Sequence, residues 1–140
     1  MDDPGAEFIV ELADHELEAL VETMYLVAYS DGSYSAPERA RFAHCVSKLT
    51  DGRMAGAHFD HVVARIVCRL RDDGMEACVR ALRDRLAPRL RSVALILASD
   101  MAAADGVLHP AERKLLLSLA DAFQMHPEET REVLDGFASS

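Results

Sequence analysis

Asp31-Gly32-Ser33-Tyr34-Ser35-Ala36-Pro37-Glu38-Arg39 is answered further along the chain by Asp105-Gly106-Val107-Leu108-His109-Pro110-Ala111-Glu112-Arg113. The two stretches lie 74 residues apart (31 to 105) in a chain of 140 and align without a gap. Both read Asp-Gly-x-apolar-x-x-x-Glu-Arg. Small and apolar residues lead into each: Val27, Ala28 and Tyr29 in the first, Met101, Ala102 and Ala103 in the second. Each exits into one apolar spacing, Phe42, Cys45, Val46 and Leu49 answering Leu116, Leu119, Ala120 and Phe123. A shared apolar face needs only the spacing. Repeating the Asp, Gly, Glu and Arg as well points to a reused structural unit and a candidate reused acidic site.

The periodicity around these stretches is helical, and nothing reads as a strand. From Asp14, a candidate N-cap, Leu17, Leu20, Val21, Met24 and Ala28 form one stripe that ends at Asp31-Gly32. Ser35 and Glu38 have the Ser-x-x-Glu spacing of a capping box, with Pro37 in the first turn, where its missing N–H is harmless. Asp51-Gly52 ends that helix. A third helix carries Val62, Val63, Ile66, Val67 and Leu70 up to Asp72-Asp73-Gly74. A fourth runs from Met75 to a break near Pro88, and a fifth shows Leu90, Val93, Ala94, Leu97 and Met101 before Asp105-Gly106. His109-Pro110 opens a sixth. A short seventh follows Pro127, and residues 4–13 are apolar enough for one more turn or two. The expected architecture is all-α, a compact bundle of about seven helices. It is built on two helix–Asp-Gly turn–helix repeats, about residues 14–50 and 89–125, within a single domain spanning 1–140. A pseudo-two-fold relation would bring the helices 14–29 and 89–104 together.

Composition narrows the function. With 15 Lys plus Arg against 24 Asp plus Glu, the formal charge is −9. That excludes nucleic acid as the main partner, because neutralising phosphates requires a basic surface. Residues 1–38 hold ten acids and no Lys or Arg, whereas residues 65–91 hold eight Arg against four acids. This asymmetry predicts a dipolar molecule, with solvated helix faces as the plainer expectation. Arg80, Arg83, Arg85, Arg89 and Arg91 read as a solvated face pairing locally with Asp84, or as a dock for an acidic partner. Cys45, Cys68 and Cys78 each fall in a helical apolar pattern and read as reduced core thiols. No apolar run approaches the roughly 18 residues of a membrane span. The acidic start lacks a signal peptide's basic region. The expected location is the cytoplasm, with no direct membrane insertion.

The repeated turn matches the second half of an EF-hand loop, with Gly at position 6 and Glu at 12. The first half fails: positions 1 and 3 are Val27 and Tyr29 in one copy, Met101 and Ala103 in the other. Half a loop still offers two carboxylates per copy, Asp31 with Glu38 and Asp105 with Glu112, and hard oxygen donors suit calcium or magnesium. Asp100 and Glu22 are further donors if their helix faces turn inward. The alternative is that all four acids only cap helices. His58, Asp60 and His61 lack a third ligand at diagnostic spacing, and His44 beside Cys45 points elsewhere on its helix. No nucleophile motif, phosphate loop or H-E-x-x-H occurs, so a carboxylate hydrolase is the only enzymatic alternative and lacks a third catalytic role.

With these motifs in place, the chain resembles the TerB-like tellurite-resistance domain family. Ala102-Ala103-Ala104-Asp105-Gly106-Val107-Leu108-His109-Pro110-Ala111-Glu112 is similar to that family's second signature, and residues 28–38 to its first. The resemblance implies an all-α fold of about seven helices and a non-enzymatic module. It implies acidic residues, here Asp31, Glu38, Asp105 and Glu112, suspected of binding a divalent metal. It also implies protein partners in a stress or metal-resistance assembly, one of them at the membrane. Such domains also open membrane-anchored DnaJ-like co-chaperones, but no His-Pro-Asp occurs here: Ala111 follows His109-Pro110 and Glu128 follows His126-Pro127.

Overall fold

The computed structural model describes residues 12–28, 36–102 and 110–138; the side chains of Glu38, Met101, Ala102 and residues 133–138 are not among those described. The described residues form helices α1 (Asp14–Ala28), α2 (Ala36–Leu49), α3 (Gly56–Asp73), α4 (Met75–Arg85), α5 (Pro88–Ala102), α6 (Pro110–Ala122) and α7 (Pro127–Ala138). No strand occurs among them, so the all-α expectation holds. The segment 4–11 and both Asp-Gly turns of the repeat lie outside the described residues.

Proline sets several helix starts. Pro88, Pro110 and Pro127 each occupy the first helical position and Pro37 the second. A locked φ is already helical there, and the missing N–H would have no partner in any case. At the start of α1 the cap lies one residue earlier than expected. The Ala13 carbonyl accepts the first helical bond, from the Leu17 N–H at 3.0 Å. Glu16 reaches back to accept from the Ala13 N–H, also at 3.0 Å. This is the reciprocal half of a capping box, with Asp14 as first helical residue rather than cap.

Helix ends follow two devices. Gly74, at φ 88°, is the one residue joining α3 to α4, a conformation a side chain would strain. The ends of α2 and α6 share a Schellman motif. The Gly52 N–H donates to the Ser47 carbonyl at 2.8 Å, and the Met125 N–H to that of Ala120 at 3.0 Å. The left-handed residue is Asp51 (φ 53°) in one and Gln124 (φ 58°) in the other. A single stop signal therefore recurs at the ends of the second helices of both repeats.

α1 is the central element. Ala19 to Val27 are all buried, so this helix is enclosed on every side rather than along the single stripe its spacing predicts. Its most extensive packing is against α5, with α4, α6 and α3 completing the enclosure. The predicted meeting of the two long helices is thus observed. Leu20, Met24, Leu90, Ala94, Leu95, Ala98, Leu116, Leu119 and Phe123 belong to the core. α2 is held to this body through aromatic rings: Tyr25 meets Phe42 edge-on at 6.0 Å, and Phe42 meets Phe59 of α3 at 5.6 Å. Of the matched apolar residues, Leu116, Leu119 and Ala120 of α6 and Phe123 just past its end are all buried, but in α2 only Phe42 and Val46 are; Cys45 and Leu49 are half-buried.

The cysteine expectation needs correction. Cys78 is buried, Cys45 is half-buried, and Cys68 is exposed on the outer face of α3. Among the described residues, that face of α3 borders an open cleft beside α2, so the apolar spacing around Cys68 overstates its burial; Val67 beside it is exposed too.

Candidate functional site

The strongest electrostatic feature was visible only in pieces in the sequence. Glu22, in the middle of the central helix, is 1% exposed. An isolated carboxylate there would be heavily penalised for losing water. Two guanidinium groups remove that penalty. Arg69 of α3 pairs with Glu22 Oε1, and Arg85 of α4 reaches the same oxygen at 2.9 Å. Both arginines keep part of their side chain in solvent, so their apolar stems cross the protein edge while their heads reach inward. Arg69 Nε is a buried donor with no hydrogen-bond partner among the described residues.

The remaining acids of α1 follow the same logic nearer the surface. Asp14 pairs with Arg53 at 2.8 Å, Glu18 with Arg65 at 2.6 Å and Glu16 with Arg89 at 3.4 Å. Five arginines from four segments therefore converge on one acidic helix. This corrects two expectations. The acidic start and the Arg-rich middle do not form opposite poles, because they neutralise each other across α1. Nor do Arg85, Arg89 and Arg91 pair locally with Asp84, although Arg89 does stay exposed. Arg91 instead donates to the carbonyls of Leu86 (3.1 Å), Arg83 (3.1 Å) and Phe123 (3.4 Å), closing the C-terminal ends of α4 and α6. Helix C-termini present unsatisfied carbonyls and partial negative charge, which a guanidinium matches on both counts. Of that Arg series, only Arg80 and Arg83 keep exposed side chains with no ion pair among the described residues.

Of the four proposed cation ligands, Asp31 and Asp105 lie outside the described residues, as does the Glu38 side chain. Glu112 is described. It is the third residue of α6 and only 8% exposed, so its carboxylate sits within the positive first turn of that helix. Of the two supplementary donors, Glu22 does turn inward, but its carboxylate already faces two guanidinium groups, which disfavours a cation beside it. Asp100 is exposed near the end of α5, just before the second Asp-Gly turn, and desolvation by the surrounding protein pushes its carboxyl above the usual range. Among the described residues, no three His, Cys, Asp or Glu side chains cluster as a metal site would require. His58, Asp60, His61 and His44 are exposed. Burial raises the Cys78 thiol, with Glu22 and Asp73 adding to the effect and Arg69 and Arg85 opposing it, so this thiol is not activated as a nucleophile.

A family model described as Tellurite resistance protein TerB matches residues 17–134. The chain belongs to this family. That span takes in the central helix from Leu17 onward, both repeated turns and the first part of α7. No curated protein and no solved structure matches the chain. The chain is thus a TerB-type helical module of the tellurite-resistance kind. No described helix is long and apolar enough to cross a membrane.

Proposed function

We propose that this TerB module is a non-enzymatic docking unit that holds a divalent cation, calcium or magnesium, through Asp31, Glu38, Asp105 and Glu112. Its protein partners belong to a stress or tellurite-resistance assembly, some of them at the membrane, and it works in the cytoplasm. The observation that carries the reading is the repeated Asp-Gly-x-apolar-x-x-x-Glu pattern itself. The carboxylates of α1 are neutralised by arginines. Both turns lie within the residues that the TerB family model matches. Oxygen-only ligands favour hard divalent ions over zinc.

Isothermal titration with calcium, then magnesium and zinc, tests the cation half. Saturable binding in the wild type that disappears in the Asp31→Asn, Asp105→Asn double variant is the expected result. Absence of binding at millimolar calcium and magnesium would return all four acids to helix capping. A purely structural interaction domain, co-chaperone-like or scaffolding, would then be the better description.

A further inference from the structure

Taking the docking half of the proposed function, we infer that the cleft between α6 and α7 receives a partner segment in which an apolar side chain is flanked by carboxylates. Arg113, Leu117, Asp121, Met125, Pro127 and Arg131 line this open cleft of about 480 Å³. Leu117 is 46% exposed, the most exposed large apolar side chain among the described residues. The space suits one or two side chains of a peptide rather than a large ligand.

Charge selects the occupant. Residues 92–140 contain eight acids and three bases, Arg113, Lys114 and Arg131. Two of those three bases stand on the rim of this one cleft. Both are exposed and make no ion pair among the described residues, unlike the arginines that surround α1. α7 also begins here, adding the positive end of a helix beside Pro127. Its first-turn acids, Glu128 and Glu129, do not line the cleft, and Glu129 accepts a hydrogen bond from Ser92 of α5 at 3.4 Å. A basic rim around an apolar floor on an acidic molecule repels most of the protein's own surface and attracts an acidic, apolar segment. Among the described residues Asp121 is the one acid lining the cleft, positioned to accept an N–H from such a segment.

The probe is a fluorescein-labelled decapeptide library in which Leu, Phe or Met is flanked by Asp or Glu, with a twin library carrying Lys in place of the acids. Fluorescence anisotropy on the full chain should find saturable binders only in the acidic library. Leu117→Asp and Arg131→Glu should each weaken the best binder by about tenfold or more. Both positions are exposed, and thermal unfolding confirms that each variant is folded. Lack of saturable binding, equal binding of the Lys twins, or binding indifferent to both substitutions would overturn the inference. So would concentration-dependent self-association abolished by Leu117→Asp, because the occupant would then be a second copy. Calcium titration of the same variants keeps this outcome separate from the cation reading, since neither Leu117 nor Arg131 is one of the proposed ligands.

Discussion

The two repeats treat equivalent positions in opposite ways. Glu22 in α1 and Ile96 in α5 are 74 residues apart, at the spacing of the repeated turn (22 to 96). The carboxylate is 1% exposed and the isoleucine 44% exposed. The same inversion separates buried Leu26 from exposed Asp100. Place in the bundle explains this. α1 is enclosed by four helices and must neutralise whatever charge it carries, whereas α5 keeps one face in water and can carry a charge or an apolar group there at little expense. Positions at one common spacing from the Asp-Gly motif thus form a charged axle in α1 and a partly exposed flank in α5. Burial, more than residue type, decides which carboxylates are already satisfied internally.

Removing the buried charge should break this contrast most forcefully. Glu22→Ala strands Arg69 and Arg85 around a cavity and should lower stability by about 3 kcal/mol, read by urea unfolding. Ile96→Glu, which makes the second copy resemble the first, should change stability by no more than about 0.5 kcal/mol. A combined Glu22→Leu, Arg69→Met, Arg85→Met variant should recover most of the Glu22→Ala loss, because no uncompensated charge remains. Equal effects of Glu22→Ala and Ile96→Glu would mean that the central helix is not enclosed.

Arg91→Met should come next, at about 1–2 kcal/mol, because it strips a charged donor from three carbonyls at the ends of α4 and α6. Hydrogen exchange should show those ends opening first. The shared helix stop predicts a smaller effect of the same sign in both copies. Asp51→Gly and Gln124→Gly each relieve a left-handed side-chain residue and should stabilise by about 0.5 kcal/mol, after the entropy glycine adds to the unfolded chain. A gain at one site only would show that the two stops differ in strain.

The smallest effect concerns Asp100. Its carboxyl is raised in the folded protein, so the fold binds its proton more tightly than the unfolded chain does. Its contribution to stability is complete below the ordinary carboxylate range and is lost as pH rises through the raised value. Asp100→Asn should therefore raise the unfolding midpoint at neutral pH and leave it nearly unchanged at pH 3. An equal shift at both pH values would assign the effect to something other than protonation.

Much of this fold was legible from local chemistry. Pro37, Pro88, Pro110 and Pro127 mark helix starts, and Asp51-Gly52 and Gly74 mark ends, because those signals act over a few residues. The all-round burial of α1 was not legible from its stripe: Thr23, Tyr25 and Leu26 lie off the stripe, and the helices that enclose α1, α5 above all, come from far along the chain. The arginine pairing was hidden for the same reason. Arg69 and Arg85 lie 47 and 63 residues from Glu22, so local spacing could not connect them. A usable signal was nevertheless present: ten acids without a base in residues 1–38, followed by an Arg-rich segment, is the composition of a folded ion-pair network as well as of a dipole. Of the proposed cation ligands, Glu112 keeps the first-turn position expected of it, while Asp31, Asp105 and the Glu38 side chain lie outside the described residues.

The division of carboxylates is tested most directly by one calcium titration run on three proteins side by side: wild type, Glu18→Gln, and Asp31→Asn with Asp105→Asn. Glu18 stands for the acids already paired with arginine, and its loss should leave the calcium isotherm unchanged. The double substitution in the turns should abolish it. Calcium binding that falls with Glu18→Gln but survives in the turn variant would contradict the account, because the cation would then belong to the helix and not to the repeated turns.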